Sequence, residues 1–198
     1  MSDENPWVSD DSSAIESHIW AALERGSPFH WPSISTIDPT WGPTTCTVVL
    51  RAVDRATRSL VFHTDLRSRK IANLRVNGRL AWHFFDSERV QIRARAVAFL
   101  HTDDAFADKE WSRLSPGSQR TYCATDPGAA RQSPDTGLPA GWFERALTAS
   151  EVARGRQNFC AVVTRALEIE LLYLGSAGHR RARFAYGEEG VEATWLVP

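Results

Sequence analysis

Between Val90 and His101 the sequence VQIRARAVAFLH alternates residue by residue, and no other stretch limits the fold so firmly. Ile92, Ala94, Ala96, Ala98 and Leu100 share one face, while Gln91, Arg93 and Arg95 share the other. A period of two is the signature of a strand with one buried side. Its buried side is made small by three alanines, which predicts close packing against a helix or across a barrel interior.

Other segments repeat that theme. Thr45 to Val53 is rich in β-branched residues and reads as a strand. Asp54 to Arg58 is a polar break, and Leu60 to Thr64 resumes the strand pattern. Further strands are expected at Arg79–Asp86, Phe159–Thr164, Leu167–Leu174, Arg180–Tyr186 and Glu192–Val197. Helices fall between them. Ser13 and Glu16 have capping-box spacing, Ile15, Ile19 and Leu23 line one helical face, and Gly26 is a stop. A second helix starts near Ser68 and ends at Asn77-Gly78 as an αL stop. A third follows Asp103-Asp104 with Phe106 and Trp111 and ends near Ser115–Gly117, and a short fourth runs from Trp142 to Arg154. Residues 1–9 read as loose, and Ser27 to Pro43, with four prolines, as an irregular connector able to hide a first strand. Residues 118–140 are the least structured, and loops of that length are often functional or mobile. Most connections are too short for parallel crossovers. The expectation is a mainly β (α+β) antiparallel barrel of six to eight strands with peripheral helices. It forms a single domain over 1–198, with 1–26 as N-terminal tail and helix.

Composition narrows the function classes. At 198 residues one sizeable core is expected, and a net charge of −1 leaves no bulk attraction to nucleic acid or membranes. Cys46, Cys123 and Cys160 are widely spaced, which argues against a disulfide framework or a cysteine zinc site. No apolar segment approaches membrane-spanning length and no basic start precedes an apolar run, so a cytoplasmic location is expected. GxSxG, HExxH and Walker patterns are absent. His63 and His101 read most simply as strand residues, and no metal site is expected.

Three features carry chemistry. Thr64-Asp65-Leu66-Arg67-Ser68-Arg69-Lys70 places two hydroxyls and three cations at the start of a helix, where unpaired N–H groups attract anions. From these residues alone, an anion site and a solvated basic turn weigh equally. Gln91 is a neutral amide beside two arginines. His179, Arg181 and Arg183 share a strand face, a pattern that by itself fits a charged edge strand better than a site. Together, the two basic clusters and the amide suit a phosphorylated heteroaromatic ligand.

In order, TVVLR, FHTDLRSRK, VQIRARA, HRRARF and the closing Trp-Leu-x-Pro resemble the pyridoxamine 5'-phosphate oxidase family, and more closely its oxidase-related, FMN-binding branch. The resemblance runs from Thr44 to Pro198. It implies a split β-barrel and a homodimer that binds FMN at the subunit interface with both chains contributing. It also implies cofactor roles by position. Cys46, Thr47, Val48, Val49, Leu50 and Arg51 line the flavin, with Cys46 standing where the family has an arginine. His63 and Thr64 match a tyrosine-threonine pair beside the flavin. Ser68, Arg69 and Lys70 match the phosphate-binding serine-arginine-lysine, Gln91 the glutamine that bonds the ring, Arg183 a C-terminal arginine, and Tyr173 a tryptophan. For the substrate the matches are Arg51 in place of a lysine, Ser118, His179 and Arg181, with Leu114 where an arginine is expected. The resemblance thus implies an FMN-dependent oxidoreductase in which the flavin carries the chemistry and no side chain is singled out as catalytic. Its partners are a small-molecule substrate and a second copy, not nucleic acid or membrane. Alternatives are a genuine pyridoxine or pyridoxamine 5'-phosphate oxidase, a flavin carrier without turnover, and a split barrel for another cofactor such as haem or a deazaflavin. In the last case His63 or His101 becomes a candidate ligand.

Overall fold

The alternating run is a strand over the expected span, and it stands at the centre of a nine-stranded sheet. A computed structural model describes residues 5–87, 89–176 and 178–198; residues 1–4 of the expected loose tail lie outside the described residues. Along the chain come α1 (Ser12–Arg25), β1 (Ser33–Asp38), β2 (Gly42–Thr47), β3 (Leu50–Asp54), β4 (Ser59–Asp65), α2 (Arg69–Val76), β5 (Arg79–Phe85) and β6 (Val90–His101). Then come α3 (Ala105–Ser112), α4 (Pro116–Gln119), α5 (Ala149–Val152), β7 (Phe159–Gly175), β8 (Gly178–Gly187) and β9 (Gly190–Trp195). Short 3-10 turns at Pro6–Val8, Arg120–Cys123 and Ala153–Asn158 complete the described elements.

Every strand pairing is antiparallel, in the order β2-β1-β5-β6-β7-β4-β3. β7 forks the sheet. Its first half, Phe159–Arg165, pairs with β4, and its second half, from Glu168, pairs with β8, which in turn holds β9. The register against β6 slips where Arg95 and Ala96 face Glu168 and Ala166, leaving Leu167 as an extra residue. Inward-facing positions accordingly switch from Val162, Thr164 and Ala166 to Ile169, Leu171 and Tyr173. A bulge of this kind bends a strand and re-aims its faces. The architecture is the expected mainly antiparallel split-barrel type. Among the described residues, however, the sheet does not close on itself.

Several local expectations are corrected. Phe159–Thr164 and Leu167–Leu174 are one strand, because the bulge breaks the sequence phase without breaking the pairing. Thr45–Val53 is two strands. β2 pairs with β1 and β3 with β4, and between them Val48 N–H donates to Pro32 O at 2.9 Å and Leu50 N–H to His30 O at 3.0 Å. The β-branched run favours extended backbone throughout, but the partner changes midway. Asp11, not Ser13, caps α1 by accepting from Ser13 N–H. Gly26 does stop that helix, at φ 80°. α2 ends at Asn77 in extended rather than αL conformation. Past Ser115 the chain is helical through α4 and a 3-10 turn to Cys123, so only the remainder of 118–140 is irregular. The Trp142–Arg154 helix contracts to α5 and the turn after it.

The main core joins α1 to the sheet through Ile15, Ile19, Trp20 and Leu23, packed with Leu60, Phe62, Trp82, Phe84 and the small pair Ala94 and Ala96. Trp20 Nε1 donates to Tyr186 Oη at 2.9 Å, and Tyr186 donates to Glu16 at 3.1 Å, which ties α1 to β8. A second, aromatic cluster lies on the far side of β4 and β7, where Ala107, Tyr122, Phe159 and Ala161 gather with Trp111. None of the described helices is long and apolar enough to cross a membrane.

Candidate functional site

β4 presents Thr64 and His63 to opposite faces, as a strand must. Thr64 is buried, and its Oγ1 lies 3.3 Å from Ser68 Oγ and accepts from Lys70 Nζ at 3.3 Å. The chain reaches α2 by a tight turn in which Ser68 N–H donates to Asp65 O at 3.0 Å. Ser68 is the N-cap of α2, yet its side chain caps no backbone N–H. Two hydroxyls, an ammonium and the start of a helix therefore converge at one place, a donor set suited to a phosphate. Arg69 projects beside it, 71% exposed, with Nε 4.0 Å from the Asp38 carboxylate. The third cation is withdrawn. Arg67 is held on Asp65 at 2.7 Å and on Ala124 O at 2.9 Å. Asn73, 2% exposed, anchors α2 by donating to Thr36 Oγ1 at 3.1 Å and Thr44 Oγ1 at 3.4 Å.

The strand residues expected along the flavin divide. Cys46 faces inward opposite Ile34 and packs against the main core, so its thiol offers this cradle nothing. Val48 and Leu50 are buried, Val49 is half-buried, and Thr47 and Arg51 are exposed. Arg51 makes no hydrogen bond or ion pair among the described residues, but its guanidinium acts on both His63 and Tyr122.

His63 turns toward α3. Its side chain is 3% exposed, and Nε2 lies 3.2 Å from Glu110 Oε2. Glu110 also accepts from Arg113 at 2.6 Å. Burial foremost, then the Arg51 charge, hold the imidazole down to about 4 against the opposing pull of Glu110. The unfolded chain regains the ordinary value near 6.5. Between those values the unfolded state binds more protons, so stability contributed by neutral His63 is present above about pH 6.5 and is lost as pH falls toward 4. A His63→Phe protein should show a flatter loss of melting temperature over that window, measured by circular dichroism.

Gln91 and Arg183 lie elsewhere, on the outward face of β5 to β8. Gln91 Oε1 is 3.1 Å from His83 Nε2. Beside it Arg93 and Arg181 both pair with Glu170, Arg181 at 2.9 Å. The arginines keep the Glu170 carboxyl below its usual range despite the opposing effect of burial. Ser33, Ser35, Thr45, His83, Arg93 and Glu170 line a cleft of about 440 Å³. No described contact joins this face to the Thr64–Ser68–Lys70 cradle within one chain. Tyr173 is buried and accepts from Asn5 at 2.8 Å. Of the expected substrate residues, Arg181 is spent on Glu170 and Val197 O, His179 is exposed on β8, and Ser118 sits in the first turn of α4 against Ser115. These positions are not assembled into one pocket. Glu110, Asn73 and His83 were missed by sequence reasoning. The Glu110–Arg113 spacing signals an i,i+3 pair, but its meeting with His63 is a tertiary event.

A profile of the pyridoxamine 5'-phosphate oxidase FMN-binding domain matches residues 4–102. The match takes in α1 and the cradle and stops before the C-terminal strands that also carried the resemblance. No curated protein matches the chain. Among solved structures, a pyridoxamine 5'-phosphate oxidase-related, FMN binding protein from Nostoc punctiforme PCC 73102 is 21% identical, with 98% of each chain covered and a TM-score of 0.74. PhzG from Burkholderia lata 383, solved with tetrahydrophenazine-1-carboxylic acid, is 17% identical, covering 94% of this chain and 91% of its own, at a TM-score of 0.71. A Clostridium acetobutylicum protein related to general stress protein 26 is 11% identical at a TM-score of 0.52, covering 84% and 91%. At these identities the likeness is one of fold.

Proposed function

The chain belongs to the pyridoxamine 5'-phosphate oxidase FMN-binding domain family, and from that premise we propose that it is a homodimeric, FMN-dependent oxidoreductase whose substrate differs from vitamin B6 phosphates. The observation that carries the reading is the cradle of Thr64, Ser68 and Lys70 at the start of α2, with Arg69 exposed beside it. Lys70 and Arg69 take the phosphate charge, Ser68 and Thr64 its remaining oxygens, and Asn73 keeps α2 seated on β1 and β2. FMN, when bound, supplies two-electron redox chemistry. The chain's own task is then to bind, orient and exclude water. Arg51 in place of a lysine and Leu114 in place of an arginine favour a substrate other than pyridoxine 5'-phosphate. Residues 1–198 act as one FMN-binding unit in this reading. Three free cysteines suit a reducing, cytoplasmic setting.

A second copy completes the site. Gln91 and Arg183 stand on an open sheet face away from the cradle, so they reach a flavin most directly from a partner chain. That face exposes Phe85 at 59% and carries arginines on β6 and β8 flanking glutamates on β7, a pattern able to meet its own copy. A visible spectrum of purified protein, with the released cofactor identified by mass, is expected to show FMN. A colourless protein that also refuses added FMN overturns the assignment. A Phe85→Asp variant should sediment as a monomer and bind FMN at least about tenfold more weakly, the loss of one charge-assisted contact. A monomer that keeps full affinity would show that each chain holds a complete site.

A further inference from the structure

A groove of about 300 Å³ lies between the β1–β2 turn and one face of α2, a space suited to a small ligand. Arg69, Ala72, Asn73 and Val76 form its helix wall, at the i, i+3, i+4 and i+7 spacing of a single face. Trp41 belongs to the other wall. Among the described residues it is the most exposed tryptophan, at 78%, and its indole makes no hydrogen bond and no ring contact. Its backbone is fixed. Asp38 Oδ1 accepts from Thr40 N–H at 2.9 Å and from Trp41 N–H at 3.1 Å, and Gly42 takes the φ of 80° that closes the turn. An open aromatic face on a rigid turn is a stacking surface. The polar groups of the groove add to it. The Asp38 side chain is 10% exposed, and its N–H bonds, that of Thr40 foremost, hold the carboxyl below its usual range. It is therefore ionised at neutral pH. Its Oδ2 has Arg69 Nε only at 4.0 Å, which leaves it able to accept from hydroxyls. Arg69, 71% exposed, borders this groove, while Lys70 beside it in the chain turns to Thr64 in the phosphate cradle. Aromatic face, carboxylate and guanidinium together match the base, ribose hydroxyls and phosphate of a nucleotide.

We propose that this groove binds a purine nucleotide unit, with the base stacked on Trp41, the ribose hydroxyls on Asp38 and the phosphate on Arg69. A purine covers an indole more fully than a pyrimidine does, which favours it as the base. The proposal rests on the flavin reading, because Arg69 also borders the cradle assigned to the FMN phosphate. One chemistry here has two sources. The unit is either the adenosine half of a flavin dinucleotide, its pyrophosphate shared between Lys70 and Arg69, or the adenosine end of a separate dinucleotide reductant.

Calorimetry on the purified full chain, stripped of flavin, tests this with 5'-AMP, ribose 5-phosphate, FMN and FAD. 5'-AMP should bind about tenfold to a hundredfold more tightly than ribose 5-phosphate, the worth of one stacked base. 2',3'-Dideoxyadenosine 5'-monophosphate should bind about threefold to tenfold more weakly than 5'-AMP, because it lacks the hydroxyls that meet Asp38. Trp41→Ala should erase the preference for 5'-AMP over ribose 5-phosphate, and Trp41→Phe should keep most of it. Both variants should hold FMN as the wild type does, which shows that the fold and the cradle are intact. FAD binding more tightly than FMN, with the excess lost in Trp41→Ala, assigns the unit to the cofactor. NADPH binding to the FMN-loaded chain, dependent on Trp41, assigns it to the reductant. Equal affinity for 5'-AMP and ribose 5-phosphate, or a preference that survives Trp41→Ala, overturns the proposal. So does a Trp41→Ala chain altered in sedimentation but not in 5'-AMP affinity, since Trp41 is then a contact between copies. A chain that binds 5'-AMP but refuses FMN sinks the flavin reading and keeps the nucleotide groove; one that binds FMN but not 5'-AMP does the reverse.

Discussion

Lys70→Ala is expected to weaken FMN binding by about tenfold to a hundredfold, the range for one hydrogen bond to a charged group. Lys70 reaches Thr64 Oγ1 at 3.3 Å in the free chain, which is a long bond for an ammonium and leaves its remaining donors for a phosphate. Nothing else in the cradle replaces its charge at that point. Arg69 is the nearest cation in sequence, but it extends outward and leans on Asp38. Ser68→Ala removes a neutral hydroxyl and should cost about threefold to tenfold. Arg67→Ala is the informative control, because Arg67 is committed to Asp65 and Ala124 O and should leave FMN affinity within about twofold. Flavin fluorescence quenching gives the dissociation constants, and a rise in ionic strength should narrow the gap between wild type and Lys70→Ala by screening the charge. A Lys70→Ala protein that holds FMN as tightly as wild type would falsify the phosphate assignment.

Trp82→Ala is expected to remove about 3–5 kcal/mol of stability, a large share of the roughly 5–15 kcal/mol that holds a domain folded. Trp82 is 1% exposed, stacks on Phe84 at 5.6 Å and meets Phe62 edge-on at 5.5 Å. It also carries a polar tie across the sheet. Its Nε1 donates to Thr164 Oγ1 at 3.0 Å, and Thr164 donates to Leu60 O at 2.9 Å. One buried hydroxyl thus joins β5, β7 and β4. Thr164→Val keeps the volume and strands the indole N–H, while the Leu60 carbonyl keeps its place in the β4–β7 ladder, at about 1–3 kcal/mol for the one unmet group. Urea denaturation should place both variants well below wild type, with Trp82→Ala the lower. β4 also carries Thr64, so Thr164→Val should loosen the phosphate cradle and weaken FMN binding even where the fold survives. Loss of stability with FMN affinity unchanged would show that the cradle is positioned by α2 and Asn73 alone.

Much of this fold was legible because its signals are local. Val90–His101 alternates cleanly enough to give its strand at both ends, and Ile15, Ile19 and Leu23 gave the buried face of α1. The errors share a cause. A β-branched run shows that backbone is extended but not which neighbour it pairs with, so the change of partner at Val48-Val49 left no mark. The bulge at Leu167 shifts the alternation by one residue, and a phase shift in sequence looks the same as a strand end.

The site divides the same way. Hydroxyls and cations at 64–70 marked a candidate anion cradle, since residues within one turn of a helix start must meet whatever the rest of the chain does. Arg67's withdrawal onto Asp65 was available to sequence as a neighbouring charge pair, but its lock on Ala124 O was not. The packing of half-buried Cys46 against the core and the Trp82–Thr164–Leu60 tie join residues far apart in the chain. By itself the sequence determined the strand-rich class, the hydroxyl- and cation-bearing turn into α2, and the family. Only the tertiary structure decided that the sheet stays open among the described residues, that Gln91 and Arg183 stand apart from the cradle, and that His63 is buried edge-on against Phe159 with Nε2 on Glu110. Local periodicity is written in neighbouring residues, whereas strand partnership and burial depend on contacts made only after the chain has folded.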